Sequence, residues 1–253
     1  MAINNPVIAD ADIIQDTAVA IQEKDHGGKM EFPDIPSRIR ALPTGDEVLF
    51  SNFGRQYTRT VEIPDGVTAL GSNAFSSCTG LTEIDLKNVT TFLSNYHFRD
   101  CSSLRKVMGK KVTSTNSSFY NCIALKTAIL SNVSTIGENT FFNARALKNV
   151  DCRNVGRIVN LAFSKCNRLN LIDLTSRTTP TTLNNANVFN DTNNTWIAVV
   201  ANDMIKSDFQ NATNWSTFAS HFRTIAEVEA EVGMTYDEYY YQLFGEPRNE
   251  VAA

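Results

Sequence analysis

The sequence predicts an α/β repeat, a stacked solenoid of about five to seven coils with a helical N-terminal module and a helical C-terminal cap. Two observations carry this expectation. The phrase Phe-x-x-Cys-x-x-Leu-x-x-Ile recurs five times with substitutions, and its phenylalanines are spaced by 23, 21, 22 and 22 residues. A coil of that length cannot bury its own apolar side, so stacking must supply the stability.

The coils are Phe75-Cys78-Leu81-Ile84, Phe98-Cys101-Leu104-Val107, Phe119-Cys122-Leu125-Ala128, Phe141-Ala144-Leu147-Val150 and Phe163-Cys166-Leu169-Ile172. The Phe, Cys and Leu positions at i, i+3 and i+6 predict a short helical turn facing inward, followed by a brief strand such as Glu83 to Leu86. Val67, Val89, Val112, Val133 and Val155 open the coils. Asn88, Asn132 and Asn154 stand directly before three of these valines and predict an asparagine ladder at a left-handed corner.

The repeat region is assigned to residues 67–200. Residues 45–66 form a cap and partial coil, in which Val61 and Ile63 read as strand and Pro64-Asp65-Gly66 as the turn into coil one. After Leu174 the pattern loosens into a polar stretch, and a strand-like run from Trp196 to Val200 continues the sheet for one irregular coil. Residues 201–253 read as a helical cap and tail: a helix at Met204 to Phe209, a second opened by Asn214 as N-cap, and a third at Thr235 to Phe244 with Thr235 and Glu238 in capping-box spacing. In residues 1–44, a helix from about Asp10 to Lys24 carries Ile14, Thr17, Ala18 and Ile21 on one face, and a second follows near Pro36 to Leu42. This pair reads as an attachment module.

Composition narrows the function. A net charge of -4 with a pI near 5.4 gives no electrostatic footprint for nucleic acid. The start lacks a basic segment followed by an apolar core, and no run approaches about 18 apolar residues, so neither a standard export signal nor membrane insertion is expected. Five cysteines, an odd number without close metal spacing, argue for reduced thiols. Coil four uses Ala144 where the others use Cys, and Cys152 aligns with Leu86 and Leu174, so the cysteines read as small core residues. His26, His97 and His221 lie apart, and no phosphate loop, nucleophile elbow or zinc-helix motif is present. No cofactor and no catalytic residue is assigned, and the chain is expected to be non-enzymatic. Carboxylate pairs assembled across coils remain open.

Solenoids bind through the strand face, where alternate side chains point outward. One such column is Asp85, Met108, Ile129, Asp151 and Asp173, and its neighbour is Glu83, Lys106, Thr127, Asn149 and Leu171. Together they form the candidate binding face. A third column, Lys87, Lys110, Ser131, Arg153 and Thr175, offers cations to an anionic polymer. Tyr236, Tyr239 and Tyr240 share a helix face beside Tyr241, which predicts another contact surface or packing onto the solenoid or a second subunit.

The Ala-Phe-x-x-Cys-x-x-Leu phrase, with Leu70-Gly71 and Ile136-Gly137 ahead of it, resembles the BspA-like leucine-rich repeat over roughly residues 61–200. The resemblance implies a leucine-rich-repeat solenoid; Ala144, Ala128 and Lys110-Lys111 depart from it locally. Residues 211–222, NATNWSTFASHF, look like the helical segment that follows the last such repeat. Residues 11–42 are similar to a two-helix segment of tail-associated and other structural proteins of bacteriophages of Gram-positive hosts. That second resemblance implies a multi-copy or homo-oligomeric virion protein, located on the virion. Its N-terminal helices or C-terminal tail would contact other virion proteins, while the solenoid meets a host cell-surface polymer or protein. Two alternatives stand beside it: a surface adhesin of the same repeat class on the bacterial cell, and a cell-wall polymer hydrolase using the column of Asp85, Asp151 and Asp173.

Overall fold

The computed structural model describes residues 59–248 except Pro64. The predicted helices at 10–24 and 36–42, residues 45–58 of the predicted cap, and residues 249–253 lie outside the described residues.

An eight-stranded sheet runs β1 (Thr60–Glu62), β3 (Glu83–Asp85), β5 (Lys106–Met108), β7 (Thr127–Ile129), β9 (Asn149–Asp151), β11 (Leu171–Asp173), β13 (Ile197–Val200) and β14 (Phe222–Thr224), with every neighbouring pair parallel. The register stacks Val61, Ile84, Val107, Ala128, Val150, Ile172, Ala198 and Phe222 into one inward row. A second ladder closes the other side of each coil. Its members are β2 (Ala69–Leu70) paired with β4 (Thr91–Phe92), and a four-stranded sheet of β6 (Ser114–Thr115), β8 (Thr135–Ile136), β10 (Arg157–Ile158) and β12 (Thr182–Leu183).

Between these ladders the ring of each repeat phenylalanine stacks on the next. Centroids are 5.1 Å apart from Phe75 to Phe98, 5.3 Å from Phe98 to Phe119, 5.5 Å from Phe119 to Phe141 and 5.3 Å from Phe141 to Phe163. These separations follow the strand spacing of about 4.8 Å. Phe189 and Trp196 extend the stack at 5.4 and 4.4 Å, so the irregular coil keeps the aromatic position although its spacing has slipped.

The Phe-Cys-Leu segment is not the helical turn that its spacing predicts. In coil one the Cys78 N–H donates to Phe75 and the Leu81 N–H to Cys78, and the other four coils repeat this pair of three-residue closures. The chain cannot continue as helix because residues two before and two after each phenylalanine are left-handed: Asn73, Tyr96, Ser117, Asn139 and Leu161 on one side, Ser77, Asp100, Asn121, Asn143 and Lys165 on the other. Left-handed backbone costs roughly 1 kcal/mol for such residues. Bonds between coils offset it, for example Asn121 N–H to the Phe142 carbonyl and Asn143 N–H to that of Ser164. The asparagine ladder therefore sits here, where Asn143 Nδ2 donates to Asn121 Oδ1 at 2.6 Å and Asn121 Nδ2 to Asp100 Oδ1 at 2.7 Å. At the predicted corner, Asn88 and Asn154 instead donate to the Asp65 and Ser131 carbonyls of the preceding coil, and the left-handed residue is Lys87.

The C-terminal segment is helical in three places. Helix α1 (Asp203–Asn211) is capped by the Asn202 side chain and buries Ile205 and Phe209 against Trp215 and Phe222. Residues Ser216–His221 form a short 3-10 turn, and Asn214 is not its N-cap: it adopts φ 66° and donates to the Leu183 carbonyl. Helix α2 (Ile225–Val232) and helix α3 (Tyr236–Phe244) both begin in complete capping boxes, Thr224 with Glu227 and Thr235 with Glu238, and both end at a left-handed glycine, Gly233 and Gly245. Sequence reading found α3 but missed α2 and β14, although Thr224, Glu227 and Gly233 were signals for α2.

Candidate functional site

Along the outward side of the large sheet, exposure changes abruptly. Glu83 and Asp85 on β3 are exposed, and Lys106, Met108 and Thr127 are half-buried. Ile129, Asn149, Asp151, Leu171 and Asp173 are buried. The expectation of one open face from β3 to β11 is corrected at these last positions, because α2 and α3 fold back across β7 to β13. Val228, Tyr236, Tyr240 and Phe244 pack on Ile129, Leu171 and Val199 to form an apolar cluster separate from the solenoid core. Of the predicted tyrosines, Tyr236 and Tyr240 are buried, Tyr239 is half-buried and Tyr241 is exposed.

A polar network runs through this second cluster. Asp151 Oδ2 accepts from the Tyr240 hydroxyl at 2.7 Å, from Ser131 Oγ at 2.6 Å and from the Arg153 guanidinium at 2.8 Å. Asp173 Oδ1 accepts from the Thr175 N–H and hydroxyl at 2.9 and 2.6 Å. Its Oδ2 has no hydrogen bond, and neither does the Tyr236 hydroxyl or Arg248 Nε, which lies 3.9 Å from it. Arg248 also donates to the Thr175 hydroxyl and pairs with Asp237, its carbonyl accepts from Arg153, and the two guanidinium groups lie over the rings of Tyr236 and Tyr240. Burial, then the neighbouring Asp151 charge, pushes the Asp173 carboxyl up to about 6, and burial pushes the Tyr240 phenol up. The arrangement clasps the hairpin to the sheet.

The third column is neutralised within the molecule. Lys87 pairs with Glu62 and Asp65, Lys110 with Glu246, and Arg153 with Asp151. All five cysteines are buried and none forms a disulfide. Cys101 and Cys122 donate their thiols to the Phe75 and Phe98 carbonyls at 3.0 Å, and Cys166 to that of Phe141 at 3.2 Å. His97 is buried on Phe92, and His221 is bonded to the Trp196 carbonyl and stacked on its ring. Among the described residues, no group of three or more His, Cys, Asp or Glu could hold a metal, and no helix is long and apolar enough to cross a membrane.

The sequence model described as "BspA type Leucine rich repeat region" matches this chain in six copies over residues 47–170 and 106–216. The comparison with curated proteins returned no match. Among solved structures, the pneumococcal vaccine antigen PcpA is similar over 70% of this chain and 42% of its own, at 17% identity and a TM-score of 0.51. A leucine-rich repeat protein of Eubacterium ventriosum is similar over 53% of this chain and 37% of its own, at 23% identity and a TM-score of 0.45. The leucine-rich repeat protein of T. pallidum is similar over 62% of this chain and 72% of its own, at 21% identity and a TM-score of 0.46. This chain thus spans less than half the length of the first two, and the likeness to PcpA, at 17% identity, bears on the fold alone.

Proposed function

The chain belongs to the BspA-type leucine-rich repeat family, and from that premise we propose that it is a non-enzymatic recognition module. Its partner is a cell-surface polymer or protein, or another component of the particle or cell that displays it. The observation that carries this reading is the uncovered part of the strand face, where Glu83 and Asp85 stand exposed on β3, directly beside the buried half that the hairpin occupies. A rigid parallel sheet presents such side chains at fixed pitch, and that suits shape and charge recognition. Display in many copies raises avidity by about 10²–10⁴ when several weak sites engage together.

Two carriers are consistent with this function. The virion reading, with residues 1–44 as a helical attachment module and 201–253 as cap and tail, rests on the resemblance read in the sequence of residues 11–42 alone. The bacterial-surface reading is supported by the fold likeness to PcpA, whose description is that of a vaccine antigen.

The test is binding of labelled protein to intact Gram-positive cells, alongside a Glu83→Arg, Asp85→Asn double variant. Saturable binding lost in the variant supports the strand-face site; binding that the variant retains overturns it. Probing purified phage particles and washed cell walls with an antibody against the protein separates the two carriers.

A further inference from the structure

The bend that leads from each repeat cysteine, or Ala144 in coil four, into the large sheet carries a segregated charge. From coil two to coil five these bends read CSSLRK, CIALKT, ARALKN and CNRLNL, residues 101–106, 122–127, 144–149 and 166–171. They contain Arg105, Lys106, Lys126, Arg145, Lys148 and Arg168, and no Asp or Glu. In a chain of net charge -4 this is a local inversion of sign.

The cations are stacked by the backbone. The Arg105 N–H donates to the Thr82 carbonyl, Lys126 to Arg105, Lys148 to Lys126 and Asn170 to Lys148, at 2.7 to 2.9 Å. Arg105, Lys126 and Lys148 therefore sit on successive rungs, about 4.8 Å apart along the solenoid. Arg145 and Arg168 lie on the same bends. All five are exposed. Among the described residues, Lys106 is the member of the set that is paired, with Glu246. The others make no ion pair there, in contrast to Lys87 and Arg153 of the neighbouring column. A negative group, Glu83 on β3, stands at the coil-one end of the strip beside Lys106.

We propose that this bend, which borders the strand face at Lys106, is a docking strip for a linear acidic polysaccharide centred on Arg105, Lys126 and Lys148. Charge complementarity calls for a polyanion, since unpaired like charges held a few ångströms apart repel one another and gain from a shared counter-charge. The interleaved groups choose its class. Half-buried Ser102 and Ser103 offer hydroxyl partners for sugar hydroxyls, whereas the Asn170 amide is already bonded to Asn149. The four bends hold no aromatic residue on which nucleobases could stack.

The experiment uses the full chain and polygalacturonate, with dextran as the neutral polymer and single-stranded poly(dT) as the nucleic-acid polymer. An Arg105→Gln, Lys126→Gln, Lys148→Gln variant is compared with Lys111→Gln, Arg157→Gln, Arg177→Gln, which changes net charge equally on other surfaces. Binding to polygalacturonate that weakens with salt, and by roughly tenfold in the first variant but not the second, supports the strip. Absence of binding, equal loss in both variants, equal binding to dextran, or tighter binding to poly(dT) overturns it. Binding to cells through Glu83 and Asp85 is read separately, so either site can fail alone.

Discussion

The Tyr240 hydroxyl, on the last helix, donates at 2.7 Å to the Asp151 carboxylate on β9, 89 positions earlier in the chain. Asp151 is fully buried and also holds Ser131 and Arg153. A hydrogen bond to a charged group contributes roughly 1.5–3 kcal/mol. Tyr240→Phe keeps the ring and its contact with Arg153 but removes this bond. The expected outcome is faster amide exchange in α2 and α3 with the solenoid strands unchanged. Loss of protection throughout the sheet would instead mean that the hairpin and solenoid unfold as one unit.

Phe119 stacks between Phe98 and Phe141, with centroids 5.3 and 5.5 Å away. Phe119→Ala should cost about 3–5 kcal/mol in urea unfolding. A cost below about 1 kcal/mol would show that the stack does not act as a ladder.

Coil four shows what the cysteine position does. Ala144 leaves the Phe119 carbonyl without the thiol donor that Phe75, Phe98 and Phe141 receive. Ala144→Cys should therefore stabilise by about 0.5–1 kcal/mol at most, since a thiol is a weak donor. All five cysteines are buried, and burial pushes the Cys152 and Cys166 thiols up, so Cys152 and Cys166 should not react with a thiol reagent at pH 8 until the chain unfolds. Prompt labelling of either in the folded protein would contradict this.

Much of the solenoid was legible because its core residues recur at a fixed period: Phe75 to Phe163 could be aligned by counting. Phe189 could not, because it follows Phe163 after a longer polar stretch, yet the structure gives it the same stacking role. The left-handed positions were hidden for a different reason. Asn and Asp announce such backbone, but Tyr96, Leu161 and Lys165 adopt it too, and of these three Lys165 donates its N–H to the next coil, at the Asn190 carbonyl. The covered face was misread because Asn149-Val150-Asp151 alternates polar and apolar as an open strand does, although all three are buried. Polar residues paired with a distant helix look the same in sequence as polar residues paired with water. Tyr236 and Tyr240 signalled a contact surface without saying against what.

His97 makes the solenoid acid-sensitive. It is fully buried, and that burial lowers its imidazole from 6.5 to about 4. Between those values the unfolded chain binds a proton that the folded chain excludes, so stability falls as pH drops from about 7 to 4, by on the order of 3 kcal/mol. His97→Asn should flatten this limb of the stability profile. An unchanged profile would assign the acid limb to other groups.

Asp173 acts in the opposite sense, and locally. Closure of the hairpin desolvates it and raises its carboxyl from 3.8 to about 6, so the closed form binds a proton more tightly than the open form. Closure is therefore favoured at low pH and weakens as pH rises through about 6. The facing charged and titratable groups are Asp151, Arg153, Tyr236, Tyr240 and Arg248, of which the two guanidinium groups offset part of the cost once Asp173 ionises. Corrected for intrinsic rates, amide exchange in α2 and α3 should be faster at pH 8 than at pH 5. In Asp173→Asn the difference should vanish, because the neutral amide has no proton to lose. If the wild-type hairpin exchanges equally at both values, the Arg248 charge compensates Asp173 fully and the clasp does not respond to pH.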